Sequence, residues 1–237
     1  MVTFPSRNPQ NIDRMLANAL VELFVKGGPI MWPILLVAIV LVSVVAERSV
    51  FWFLQGRRRD AAALEKVLAA MDNQDFKAAV EVSKRTTDPV VRMIHQGLTH
   101  VHGSLAGALQ VAAGVEIKRA GKFMVAIDTC ITLAPLFGLL GTVVGIMESF
   151  EKVTGELAVE GVSKGIGEAL IATAAGLAIA IVGVFFLNLF NEFLAKLQFD
   201  LETAATNVEV MVSKAKQEGF DTLRFRREAA AATNANA

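Results

Sequence analysis

The sequence predicts an all-α membrane protein with three transmembrane helices and long cytoplasmic helical extensions. Three observations carry this. Of 237 residues, 54% are apolar and 19% charged, with a mean hydropathy of +0.49; soluble domains run at about 45–50% apolar and about 25% charged. Three uncharged, predominantly apolar stretches stand out: 27–46 (20 residues), 129–147 (19) and 169–191 (23). At about 1.5 Å rise per residue, about 20 helical residues cross about 30 Å of hydrocarbon. The segments between carry helix caps and apolar residues at three- and four-residue spacing. A soluble bundle with three such helices buried would demand a larger polar shell than this chain supplies.

Composition also excludes functions. Lys and Arg (23) balance Asp and Glu (23), and no basic stretch is interleaved with stacking aromatics, so no nucleic-acid partner is expected. A single cysteine, Cys130, excludes an internal disulfide or a Cys-based zinc cage. Three histidines (His95, His100, His102) and no tyrosine leave few groups for acid–base chemistry. His100 and His102, two apart, do not share a helical face, so solvated helix surface is the default reading and no metal or cofactor is expected. The phosphate loop G-x-x-x-x-G-K-S/T, H-E-x-x-H and G-x-S-x-G are absent, and no enzyme is expected.

Within 1–29, Ile12, Met15, Leu16, Ala19, Leu20, Leu23 and Phe24 form one apolar stripe, with Asp13, Arg14, Asn18 and Glu22 off it. This predicts a short helix on the outer membrane–water interface or against a neighbouring subunit. Gly27-Gly28-Pro29 then turns the chain into the first span, 30–54. Its only tryptophans, Trp32 and Trp52, lie 20 residues apart and are expected to mark the two interfaces, with Arg48 snorkelling at the inner one. A cleaved signal peptide is the competing reading; the run lies some thirty residues in and Arg57-Arg58-Arg59 follows it, which favours a retained span.

The segment 55–122 reads as cytoplasmic helices. Asp60 is expected to cap a helix reaching about Met71, a second runs near 75–85, and Asp88-Pro89 starts a third. That third helix is expected to continue through Lys122 into the second span, with Gly97, Gly103 and Gly107 as its weak points. A second span over 123–147, an outer loop over 148–164 and a third span over 165–191 follow. In 192–228, starting from Phe190, Leu194, Leu197, Leu201, Ala204, Val208, Met211 and Ala215 alternate steps of four and three. This heptad-like stripe predicts a cytoplasmic helix packed on partner helices, either the chain's own segment 60–122 or neighbouring subunits. The Ala/Thr/Asn tail 229–237 is expected to be disordered.

Basic residues orient the chain. Segment 1–29 has 3 and the connection between the second and third spans has 2, against 11 in 55–122 and 6 in 191–237. The positive-inside rule places the N-terminus outside and the C-terminus inside.

The second span reads VAIDTCITLAPLFGLLGTVVGIMESF and the third GIGEALIATAAGLAIAIVGVFFLN. Between residues 165 and 183, 10 of 19 positions are Gly or Ala. Together with Gly138, Gly141 and Gly145 on span two, the row Ala172, Gly176 and Ala180 allows close backbone approach, so these spans are expected to pack on protein. Polar groups there are costly, about 2.5–3.5 kcal/mol for a mid-membrane charge. Thr142 and Thr173 fall at similar depth in the outer half, and Glu168 lies four residues beyond Lys164, near the outer interface. Hydroxyls both donate and accept, which suits an ion passage. The plainer alternatives are a hydroxyl bonded to its own helix for each threonine and an interfacial carboxylate for Glu168. Asp128 reads as a cap or snorkelling group at the inner interface, or as lining an ion exit. Cys130 reads as packing, and Pro135 as a kink.

LAPLFGLLGTVVGIMESF followed some twenty residues later by GIGEALIATAAGLAIAI closely resembles the ExbB/TolQ/MotA proton-channel family, with matched blocks over roughly 123–195. Three spans make the chain look ExbB- or TolQ-like. The resemblance implies a bacterial inner-membrane protein, periplasmic at its N-terminus, whose subunits form a pentameric ring in the lipid around single helices of two copies of an ExbD/TolR-like partner. It places pore threonines on Thr142 and Thr173 and a pore glutamate on Glu168. The proton-carrying aspartate would belong to the partner, and the work would be delivered to a downstream envelope protein. Where the family often has proline, this chain has Val182, which bears on the local kink. A sodium-driven stator-like unit and a non-conducting membrane scaffold are the alternatives.

Overall fold

The computed structural model describes residues 21–99, 104–151, 158–219 and 221. Among them every regular element is an α-helix: α1 (Met31–Arg57), α2 (Ala61–Asp72), α3 (Phe76–Lys84), α4 (Pro89–Thr99), α5 (Leu105–Ala120), α6 (Met124–Glu151) and α7 (Ala158–Gln217). Of the amphipathic helix expected over 11–26, only 21–26 lies within the described residues; it is helical and ends at Gly27-Gly28, where Gly28 adopts a left-handed φ of 73°. The tail 229–237 lies outside them.

Two stretches differ from expectation. The third inner helix is not continuous into span two. Ser104 accepts the Gly107 N–H at 3.0 Å and starts a new helix, and α5 ends where the Gly121 N–H donates to the Ile117 carbonyl at 2.8 Å. Phe123, at φ 67°, reverses the backbone before α6. The segment expected as an outer loop over 148–164 is helical through Glu151 and again from Ala158. It contains no proline, and its glycines cost a helix only about 1 kcal/mol each.

The chain divides into two compact units. The first comprises Met1–Ala46 and Phe123–Leu187, the second Glu47–Lys122 and Asn188–Ala237. Three stretches are long and apolar enough to cross a membrane: Met31–Arg57, Leu105–Glu151 and Gly165–Gln217. In the first unit Leu36, Ile39, Val42, Leu136, Leu139, Leu170 and Phe185 are exposed. Such a surface is unfavourable in water and natural in lipid, whose tails are as apolar as leucine.

The second unit has an aqueous-type core. Val67, Met71, Phe76, Val91, Met93, Ile94, Leu98 and Leu109 pack with Leu197, Leu201, Ala204 and Val208 of α7. The heptad-like stripe therefore packs on the chain's own segment 60–122, which decides between the two partners it left open. Asp60 and Asp75 cap α2 and α3 by accepting the Ala63 and Ala78 N–H groups. Asp88 is buried; its carboxylate accepts N–H groups of Val90 and Asp60, joining the starts of α4 and α2. Arg92 on α4 holds the buried Glu116 of α5 with a two-pronged ion pair, one arm at 2.8 Å.

Arg48 does not snorkel. It is 2% exposed, pairs with Glu47, lies 4.5 Å over the Phe51 ring and donates to the Ala120 carbonyl at the end of α5, where the helix dipole favours a cation. Trp52 packs against Phe51 and Phe193 within this unit, whereas Trp32 is largely exposed.

Candidate functional site

The seam between α6 and α7 is built from small residues on both sides. Along α6 the buried row is Ile127, Cys130, Ala134, Gly138, Gly141 and Ser149, stepping by three, four and eight. On α7 it is Ala169, Ala172, Gly176 and Ala180. A methyl group placed on Gly138 would sit 2.9 Å from Thr173 Cα, one on Gly141 3.0 Å from Ala172 Cβ, and one on Gly145 3.0 Å from Ala169 Cβ. One on Gly176 would strike the Ala134 carbonyl. The glycines are therefore what lets the two backbones meet; Gly138, Gly141, Gly145, Ala172 and Gly176 touch across the seam, and Ala180 is buried on α7. The row extends outward through Ser149, Gly165 and Ala169, which sequence reasoning passed over although the four-residue spacing continues through them.

These contacts make α6 and α7 antiparallel and fix their register. Thr142 falls opposite residue 170, three residues or about 4.5 Å along the axis from Thr173, and Glu168 lies about 3 Å further out. Within this pair of helices the two threonines thus lie less than one turn apart in depth.

Their directions differ. At about 100° per residue, Thr142 and Thr173 lean to one flank of the seam. The other flank is covered by α1, where Met31, Ile34 and Ile30 pack with Ala172, Phe137, Ala175 and Ile179. Glu168 is seven residues from Ala175 and so shares the α1 flank, about 140° around α7 from Thr173. Asp128 is exposed, two heptads before Thr142 and within about 40° of it, so it lies on the open flank about 21 Å inward. The structure thus brings Thr142, Thr173 and Asp128 to one side and sets Glu168 on the other, half-buried and without a hydrogen-bond partner among the described residues.

The two hydroxyls are bonded differently. Thr142 Oγ1 donates to the Leu139 carbonyl of its own helix at 2.7 Å. Thr173 Oγ1 donates across the seam to the Gly138 carbonyl at 2.7 Å. Each has committed its one proton to a backbone carbonyl, so the capacity left on each oxygen is that of an acceptor, which suits a cation better than an anion. Thr129 and Thr132 bond back to the Val125 and Asp128 carbonyls of their own helix. Pro135 stands inside the unbroken α6, at the level where Gly176 comes closest.

Residues 85–203 match the MotA/TolQ/ExbB proton channel family. The chain is 31% identical over 173 residues to ExbB-like 3 of Synechocystis sp., covering 70% of this chain and 81% of that protein. It is 33% identical over 171 residues to ExbB-like 1 of the same organism, covering 68% and 66%. Against the biopolymer transport protein ExbB of Xanthomonas campestris pv. campestris it is 32% identical over 148 residues, 56% of this chain and 57% of the other. The family match contains all of α6 and the α7 residues that form the seam.

Proposed function

The chain belongs to the MotA/TolQ/ExbB proton channel family, and from that premise we propose that it is the ring-forming subunit of a proton-driven motor of the bacterial inner membrane. It works with a single-span ExbD/TolR-like partner to energise envelope transport or envelope mechanics. The observation that carries this reading is the open flank of the α6–α7 seam, where Thr142 and Thr173 offer acceptors at nearly one depth in otherwise apolar surroundings. That flank faces the pore, and the partner's helix closes it. Asp128 on the same flank receives protons at the inner end. Glu168, on the α1 side, acts at the outer mouth, where a carboxyl collects protons before they pass the threonines.

The chain lies with its N-terminus outside and its C-terminus inside, as its basic residues distribute. Oxygen acceptors serve Na⁺ as well as hydronium, so a sodium-driven unit is the second reading; exchanging sodium for potassium at constant pH separates the two by whether transport activity falls. A scaffold would need the small-residue seam but not the threonines. In the assembly with its partner, Thr142→Val should abolish proton-dependent work while the complex still forms. Unimpaired proton flux in Thr142→Val and in Glu168→Gln would overturn these roles.

A further inference from the structure

The second unit contains a cleft of about 520 Å³ between the end of α1 and the α7 segment that follows span three. Its walls are apolar and aromatic, with Trp52, Phe53 and Phe193 prominent, and Phe53 is 62% and Phe193 38% exposed. Its rim carries Arg59, Lys196 and Gln55. Arg59 already pairs with Asp200, but a guanidinium has five donors and that pair uses few of them. Among the described residues no hydrogen bond or ion pair involves Lys196. The Trp52 indole N–H is buried without an acceptor, although such a donor usually finds one.

We propose that this cleft binds a phospholipid with an anionic headgroup. An aromatic trough opening between two membrane helices suits an acyl chain. The cations lie where the apolar runs of α1 and α7 give way to charge, the level of a headgroup phosphate. A zwitterionic lipid would offer the same chain but no net charge to two cations. A small turn of the Trp52 ring would bring its N–H to an ester oxygen. Arg57 and Arg58, next to Arg59, add to the local positive potential. The proposal needs only the membrane character of the chain, not the ring or the proton path.

The test is native mass spectrometry of the full-length protein in its assembly, taken from nanodiscs of mixed phosphatidylglycerol and phosphatidylcholine. Phosphatidylglycerol should be retained on the wild type, and the double variant Arg59→Gln/Lys196→Gln should lower retention about thirtyfold. Lys196→Gln alone should lower it less, and Lys196→Arg should keep it, which guards against a double variant that misfolds. Equal retention of both lipids, or undiminished retention in the double variant, would overturn the proposal. So would a rise in thermal midpoint with inorganic phosphate equal to that with phosphatidylglycerol, since the ligand would then be a free anion. Cross-linking between two copies through Phe53→Cys would assign the cleft to a subunit contact and overturn it too.

Discussion

A threonine inside a membrane helix can return its proton to its own backbone or reach a neighbour, and this chain does one of each. Thr142 bonds within α6 and Thr173 bonds to the Gly138 carbonyl across the seam. Replacing each with valine therefore has different consequences. Thr173→Val removes an interhelical hydrogen bond, worth about 0.6 and at most about 1.7 kcal/mol in membrane proteins, and should measurably lower resistance to unfolding in detergent. Thr142→Val removes only an intrahelical bond and should leave unfolding unchanged. Both should lower proton flux, since both remove an acceptor. The sequence made these two residues and their common depth visible, because polar residues in apolar runs are conspicuous. It did not show that Glu168 leans to the other flank. That follows from where α1 packs, and nothing local to the third span encodes it. The packing of Arg48 and Trp52 was not legible for a similar reason: their partners, the Ala120 carbonyl and Phe193, are 72 and 141 residues away in sequence.

At the scale of elements, the seam and the inner helical unit obey different rules. The seam depends on the absence of side chains. Gly176→Leu would drive a side chain into the Ala134 backbone, and overpacking of this kind costs about 1–3 kcal/mol. Detergent-unfolding curves of the purified protein should show that loss. Gly114→Ala in α5, where an added methyl meets nothing within 4 Å, should instead stabilise by about 0.5–1 kcal/mol. In the inner unit the Arg92–Glu116 pair joins α4 to α5 with the carboxylate 5% exposed. Arg92→Met would leave that carboxylate buried and unpaired at a cost of about 3–5 kcal/mol, read by the same unfolding measurement. Small-residue rows and caps were legible because each depends on residues within one or two turns. The break at Ser104 was legible only in part: Gly97, Gly103 and Gly107 marked weak places, one of them next to Ser104, without saying which would yield. The helical turns at 148–151 and 158–164 escaped for the opposite reason: charges and glycines suggested a loop, but no proline stops α6 or α7 there.

For the molecule as a whole, burial of His95 pushes its imidazole below the usual range, and Ser83 Oγ lies 3.0 Å from its Nδ1. Unfolded, the same ring takes up a proton near pH 6.5. Between about pH 6.5 and the lower folded value the unfolded chain binds more protons, so the stability of the inner unit should fall with acidification there. His95→Gln should flatten the dependence of the thermal midpoint over that interval. The seam, by contrast, depends on packing and not on titration. One side of the α6–α7 pair is covered by α1, and the other carries Thr142 and Thr173.

The most direct measurement of that arrangement is proton uptake by liposomes holding the purified complex of this chain with the proposed single-span partner. Wild-type complex should dissipate an imposed pH gradient. The Thr142→Val/Thr173→Val complex, assembled to the same stoichiometry, should do so about tenfold more slowly or worse, as expected when buried polar contacts to the moving ion are lost. Equal rates from equally assembled complexes would contradict the assignment of the open flank as the proton path.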